Sequence, residues 1–132
     1  MSIRSDGRGA LGVAFSVNLN AVGDTFVPIN CKKFLVRNFT LTNASTTLAA
    51  SAAEIGAYTA ASAGGTEIVT PAPATTLTAS NITKDQTVAA AAVALTPTYD
   101  STAGKWGLYV RVDEVHGSAA TLDAFIFGDV LE

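Results

Sequence analysis

Few residues in this chain carry reactive side chains, and their spacing decides what they could do. The single cysteine, Cys31, and the single histidine, His116, would be the nucleophile and base of a thiol enzyme if they met. Cys31 stands beside Lys32 and close to Pro28, a setting for a partly buried small residue. One Cys and one His cannot build a zinc site of the usual ligand spacing, and no internal disulfide can form. His116, next to Gly117, reads as a solvated loop residue. Asp113 and Glu114 are adjacent, which on a strand sends them to opposite faces. Asp123 and Asp129 share a strand face but stand roughly 20 Å apart along it, too far for joint acid–base work. No loop has the alternating carboxylates of a calcium site. The Gly64-Gly65 pair fits neither glycine pattern that cradles phosphate. Three Asn-X-Ser/Thr sequons, at Asn38, Asn43 and Asn81, are expected coincidences in a Thr-rich chain. The expectation is a chain that is no enzyme and uses no metal or cofactor.

The bulk properties point the same way. A chain of 132 residues is one domain by size, read as an N-terminal arm over 1–10 and a domain over 11–132. A domain of that length buries roughly two-thirds of its unfolded surface and needs no staple. Only 14% of residues are charged, while 48% are hydrophobic, many of them alanine. So charge-poor a surface suits flat β-faces, or a surface that a partner covers. Net charge is −3 and no basic run is present, which argues against nucleic acid. Charge is uneven: residues 1–43 carry +3 and the remainder −6. The start, Met-Ser-Ile-Arg-Ser-Asp-Gly-Arg-Gly, lacks the apolar core of a signal peptide, and the run Val88–Leu95 is too short to span a bilayer. Cytoplasmic synthesis and no membrane association are expected.

These residues hang on strands. The central segment, Lys32 to Ser45, is the longest run rich in β-branched and aromatic residues without Gly or Pro, and Asn43-Ala44-Ser45 ends it as a turn. Phe34 and Val36 fall on one face, and Leu35, Phe39 and Leu41 on the other, with Arg37 between them. Such a strand is covered on both sides or switches faces at a bulge near Arg37, and the arginine then needs a partner. Leu11, Val13, Phe15, Val17 and Leu19 alternate with smaller residues, a half-buried strand. Thr25–Ile29 is a short apolar run that Pro28 demotes to an edge or a strand end. Residues 54–69 form two strands turning at Ala63-Gly64-Gly65. Gln86–Thr96 is ambiguous, because its alanines favour helix; the flanking Val, Leu, Thr and Pro97 favour strand, which is expected.

Lys105–Asp113 is the clearest strand, with Trp106, Leu108, Val110 and Val112 on one face. Trp106 is therefore expected in the core rather than as a sugar-stacking platform. Thr121–Leu131 closes the chain, with Asp123, Phe125, Phe127 and Asp129 facing one way and Gly128 relieving crowding against a neighbour. About eight short antiparallel strands without a helix predict an all-β sandwich or barrel.

The segments Phe34-Leu-Val-Arg-Asn-Phe-Thr-Leu-Thr-Asn-Ala-Ser45, Ala57-Tyr-Thr-Ala-Ala-Ser-Ala-Gly-Gly-Thr-Glu-Ile-Val69, Leu108-Tyr-Val-Arg-Val112 and the ending Ala119 to Leu131 together resemble the jelly-roll decoration, or cement, proteins of tailed bacteriophages. The resemblance covers most of the chain from about Phe26. It implies a jelly-roll β-sandwich on the outer surface of a capsid, a homo-oligomer with a trimer favoured, and the major capsid protein as partner. The basic residues Arg4, Arg8, Lys32 and Lys33 are the candidate capsid contacts, a placement drawn from charge. The alternative is a fibre, spike or tail module binding a receptor or glycan, for which Tyr58, Tyr99 and Tyr109 are the exposed-aromatic candidates.

Overall fold

The structure, a computed structural model, describes residues 8–132. Nine strands follow in order: β1 (Arg8–Asn18), β2 (Gly23–Pro28), β3 (Phe34–Thr42), β4 (Glu54–Ala60), β5 (Gly64–Pro73), β6 (Lys84–Gln86), β7 (Thr98–Asp100), β8 (Lys105–Glu114) and β9 (Thr121–Val130). They form two antiparallel sheets, β1-β9-β3-β6 and β2-β8-β4-β5, with β7 paired to the start of β8. No described residue is helical, and the two sheets pack as a β-sandwich. The pairing is nested: β1 with β9, β2 with β8, β3 with β6, β4 with β5. The chain is one long hairpin folded at the β4–β5 turn and rolled, so that its ribbon contributes to both sheets.

The face switch expected in the central strand is real. The β3–β9 ladder slips between Val36 and Asn38, leaving Arg37 as the extra residue of a bulge. Phe34 and Val36 before it, and Phe39 and Leu41 after it, then all point inward at 0% exposure. Arg37 turns outward, and its Nε donates to Asp129 Oδ2 at 2.7 Å. Gly128 lies opposite Val36, where a Cβ would fall on the carbonyl of Leu35. β3 stops at Asn43, whose φ of 57° is left-handed. Leu108, Val110 and Val112 of β8, and Leu122, Ala124 and Ile126 of β9, complete the core as their alternation requires.

Four expectations are corrected. β1 does not alternate cleanly: its ladder slips between Ala10 and Gly12 and again between Ala14 and Val17, where Ser16 has a φ of 52°. Ala14, Val17 and Leu19 are buried, but Phe15 is 67% exposed. A bulge reverses the facing of whatever precedes it, and edge strands commonly carry bulges. Gln86–Thr96 is neither helix nor strand. Past β6 it runs in turns, tied by single bridges Val69↔Val88 and Phe34↔Leu95, because alanines offer little side chain to bury while the chain crosses between sheets. Within the arm expected over 1–10, Arg8, Gly9 and Ala10 already pair with β9, while residues 1–7 lie outside the described residues. The β4–β5 reversal also falls slightly earlier than expected, at 61–63, with Ser62 and Ala63 left-handed.

Candidate functional site

Four chain segments meet at one end of the sandwich. The 29–33 loop is pinned there by backbone hydrogen bonds: Ile29 N–H donates to the Trp106 carbonyl at 2.9 Å, and Lys32 N–H to the Glu132 carbonyl at 2.8 Å. Leu131 N–H returns a bond to the Lys33 carbonyl at 2.9 Å. β1 begins at this end, since Arg8 pairs with Asp129 beside Leu35. Here β8 begins, with Leu11 of the opposing sheet lining a shared groove beside it. Trp106 keeps the inward orientation of Leu108 but is 56% exposed, which corrects its expected place in the core. Tyr99, 50% exposed on β7, meets its ring at 5.3 Å between centroids and 60°.

A groove of about 500 Å³ opens beside this pair, lined by Ile29, Asn30, Cys31, Lys32, Pro97 and Trp106 among others. Shallower grooves continue it past Leu11, Pro28 and Lys105 and past Ala10 and Val130. Of the basic candidates, Lys32 lines the groove. Lys33 is exposed and pairs with Glu132 at 3.0 Å, a half-solvated contact that holds little energy. Arg8 enters at the same end through its backbone, and Arg4 lies outside the described residues. Lys32 and Lys33 therefore share a surface with an aromatic pair that sequence reasoning divided between core and loop. Period two sets the orientation of Trp106 and carries no signal of its cover.

Tyr99 is held in place from below. The buried Tyr109 hydroxyl donates to Asp100 Oδ2 at 2.5 Å, and Asp100 Oδ1 accepts the Ala103 N–H at 2.8 Å, fixing the β7–β8 turn. That bond, with burial second, pushes the Tyr109 phenol up to about 12, and it holds the Asp100 carboxyl below its usual value. The raised phenol contributes stability that is whole below pH 10 and lost as pH climbs from 10 to about 12. The lowered carboxyl contributes stability present above pH 3.8 and lost as pH falls through its folded value. Near-ultraviolet titration should find one phenolate forming at about pH 12, and Tyr109→Phe should abolish that step.

The remaining candidates do not converge. Cys31 lines the groove at the Trp106 end, while His116 follows the opposite end of β8, so no thiol–imidazole pair forms. Burial pushes the Cys31 thiol up, away from nucleophilic character. His116 is not the solvated loop residue expected. It is half-buried, its Nδ1 lies 2.7 Å from Ser51 Oγ, and its N–H donates to the Leu19 carbonyl. Ser51 is itself buried and accepts the Ala53 N–H at 3.0 Å, so the contact ties two loops. Arg111 bridges Asp24 at 3.1 Å and Asp113 at 2.9 Å, and Asp123 accepts from Ser16 N–H and Asn43 Nδ2. Tyr58 and Tyr109, at 7% exposure each, cannot serve a glycan, which leaves Tyr99 of the three tyrosines. Among the described residues, no three of His, Cys, Asp and Glu are grouped to hold a metal, and no helix is long and apolar enough to cross a membrane.

No protein-family model, curated protein or solved structure matches this chain.

Proposed function

We propose that this chain is a structural virion protein of a tailed bacteriophage, a decoration or cement protein that binds the outside of the head and stabilises contacts between major capsid subunits. The observation that carries this reading is the exposed Tyr99–Trp106 pair over an apolar groove, bordered by Lys32 and Lys105 with Lys33 close by. Trp and Tyr anchors in a desolvated pocket supply most of the energy at protein interfaces. A rim of lysines favours an acidic partner and speeds encounter. The nested pairing of one rolled hairpin supports the jelly-roll form that the resemblance implies. The resemblance also implies self-association, usually as a trimer.

The mechanism is one of mass action. A small domain that buries more than about 1,000 Å² across a joint between capsomers stabilises the joined state only, and so raises the force the shell withstands. In this reading the chain has no catalytic role and uses no cofactor, nucleic acid or membrane. It is made in the host cytoplasm and resides on the capsid exterior.

Arg8 opens β1 at this end, and Arg4 lies four residues before it in sequence, outside the described residues. Replacing both with Glu is expected to lower particle occupancy while leaving the fold intact, measured as the copies retained on gradient-purified particles. Unchanged occupancy would remove the arm from the contact. The reading as a whole is tested by co-sedimentation: copies comparable with the major shell protein support it, and a chain left in the soluble pool contradicts it.

A second reading has one observation in its favour. An exposed Trp beside polar Asn30, Lys32 and Thr96 is also how a receptor-binding module of a fibre, spike or tail would stack a sugar. A glycan array separates the two: saturable binding abolished by Trp106→Ser favours the receptor module, and a blank array favours the capsid contact.

A further inference from the structure

We infer that the outer face of the sheet β1-β9-β3-β6 is a contact between two copies of this chain, related by a two-fold axis that crosses the strands at Phe125. This face meets the docking end at Ala10, which lines the continuing groove, but its aromatic centre lies on the sheet opposite Trp106. Along β1 and β9 the face is aromatic where a solvated sheet would be polar, while β3 presents Asn38, Thr40 and Thr42, with Asp85 of β6 beside Thr40. Phe15 stands 67% exposed and meets Phe125 edge-on at 6.1 Å, and Phe125 stacks with Phe127 at 6.2 Å and 11°. Val13 lies opposite Phe125, and Ala10 opposite Phe127.

Charge and shape identify the occupant as a second copy. Arg37 sits at the bulge beside Phe127 and Gly128, and Asp123 lies at the other end of the aromatic patch, opposite Thr42. Midway between them along β9 is Phe125. In a face-to-face pair the axis lies in the plane of contact, so an axis across the strands reverses positions along them and keeps each strand over itself. Arg37 of one copy then lies over the Asp123 end of the other, twice by symmetry. Both groups have capacity to spare among the described residues, where Arg37 gives Nε to Asp129 and each Asp123 oxygen accepts one bond. The same operation carries Phe15, near the Asp123 end, onto the Phe127 end of β1. The residue there is Ala10, exposed and small. A projecting ring therefore meets an open position. Phe125 meets its own copy at the axis.

The size of the face sets the strength. Three strands of about ten residues, at about 3.4 Å per residue and about 4.8 Å between strands, offer roughly 480 Å² per copy. That is the low end for a specific interface, so association is concentration-dependent. Two-fold pairing makes a dimer, where the resemblance implied a trimer.

The test uses the full chain with Cys31→Ser. Asn38→Cys and Thr42→Cys are made in separate chains, which keeps Phe15, Phe125, Arg37 and Asp123 in place. Mixed and oxidised, they should form a disulfide-linked heterodimer far faster than either chain alone, because Asn38, opposite Phe127, and Thr42, opposite Asp123, are exchanged along β3 by the axis at Phe125. In sedimentation, wild type should be a concentration-dependent dimer. Phe15→Ser should weaken it at least about tenfold, and Trp106→Ser, on the other sheet, should leave it unchanged. No preferential cross-link in the mixture, a monomer at all concentrations, a trimer, or a dimer indifferent to Phe15→Ser overturns the inference.

Discussion

Trp106→Ser is expected to weaken binding to the phage head by about 30-fold or more, the equivalent of about 2 kcal/mol, with the fold unchanged. The ring is more than half exposed, so its removal takes little from the core. It is also the largest side chain lining the groove, and Tyr99 packs against its ring from outside that lining. Lys32→Glu should add to the loss by setting an acid against an acidic partner, with most of its effect on the association rate. Add-back of purified variants to particles stripped of the protein measures both. A Trp106→Ser variant that rebinds with wild-type affinity, and unfolds at the wild-type denaturant midpoint, would show that the groove is not the contact.

Gly128→Ala should cost the fold about 3 kcal/mol, a large share of the stability of a domain this size. The methyl group would fall on the Leu35 carbonyl, with Leu11 also near. Backbone cannot yield there without moving β3 off β9, the seam that carries Phe34, Val36, Phe39 and Leu41. Denaturant unfolding reads the loss directly. A change below about 1 kcal/mol would mean that the bulge at Arg37 can shift to make room.

The sandwich was legible in the sequence because its strands alternate and its turns are chemically marked. The Arg37 bulge was legible too, since apolar residues on both faces of one strand leave few other solutions, and the arginine found the acid it needed in Asp129. What escaped was whatever depends on where a strand ends relative to the opposite sheet. Period two gives the orientation of Trp106 correctly and says nothing about cover, so a residue facing inward stands in solvent. Period two misplaced Phe15 as well, because the bulge at Ser16 has no glycine to announce it and is held by a long-range bond to Asp123. His116 looked solvated for the same reason: its partner, Ser51, is 65 residues away. Lys32 and Lys33 were named for their charge, while the aromatic pair that gives their surface its shape was not joined to them.

The central claim, that this is a protein of the outer head, is tested most directly by location. Tagged particles, gradient-purified and imaged by electron microscopy with a label on the tag, should carry label over the whole head in many copies. Label confined to the tail or a fibre tip, or particles without label, would contradict it.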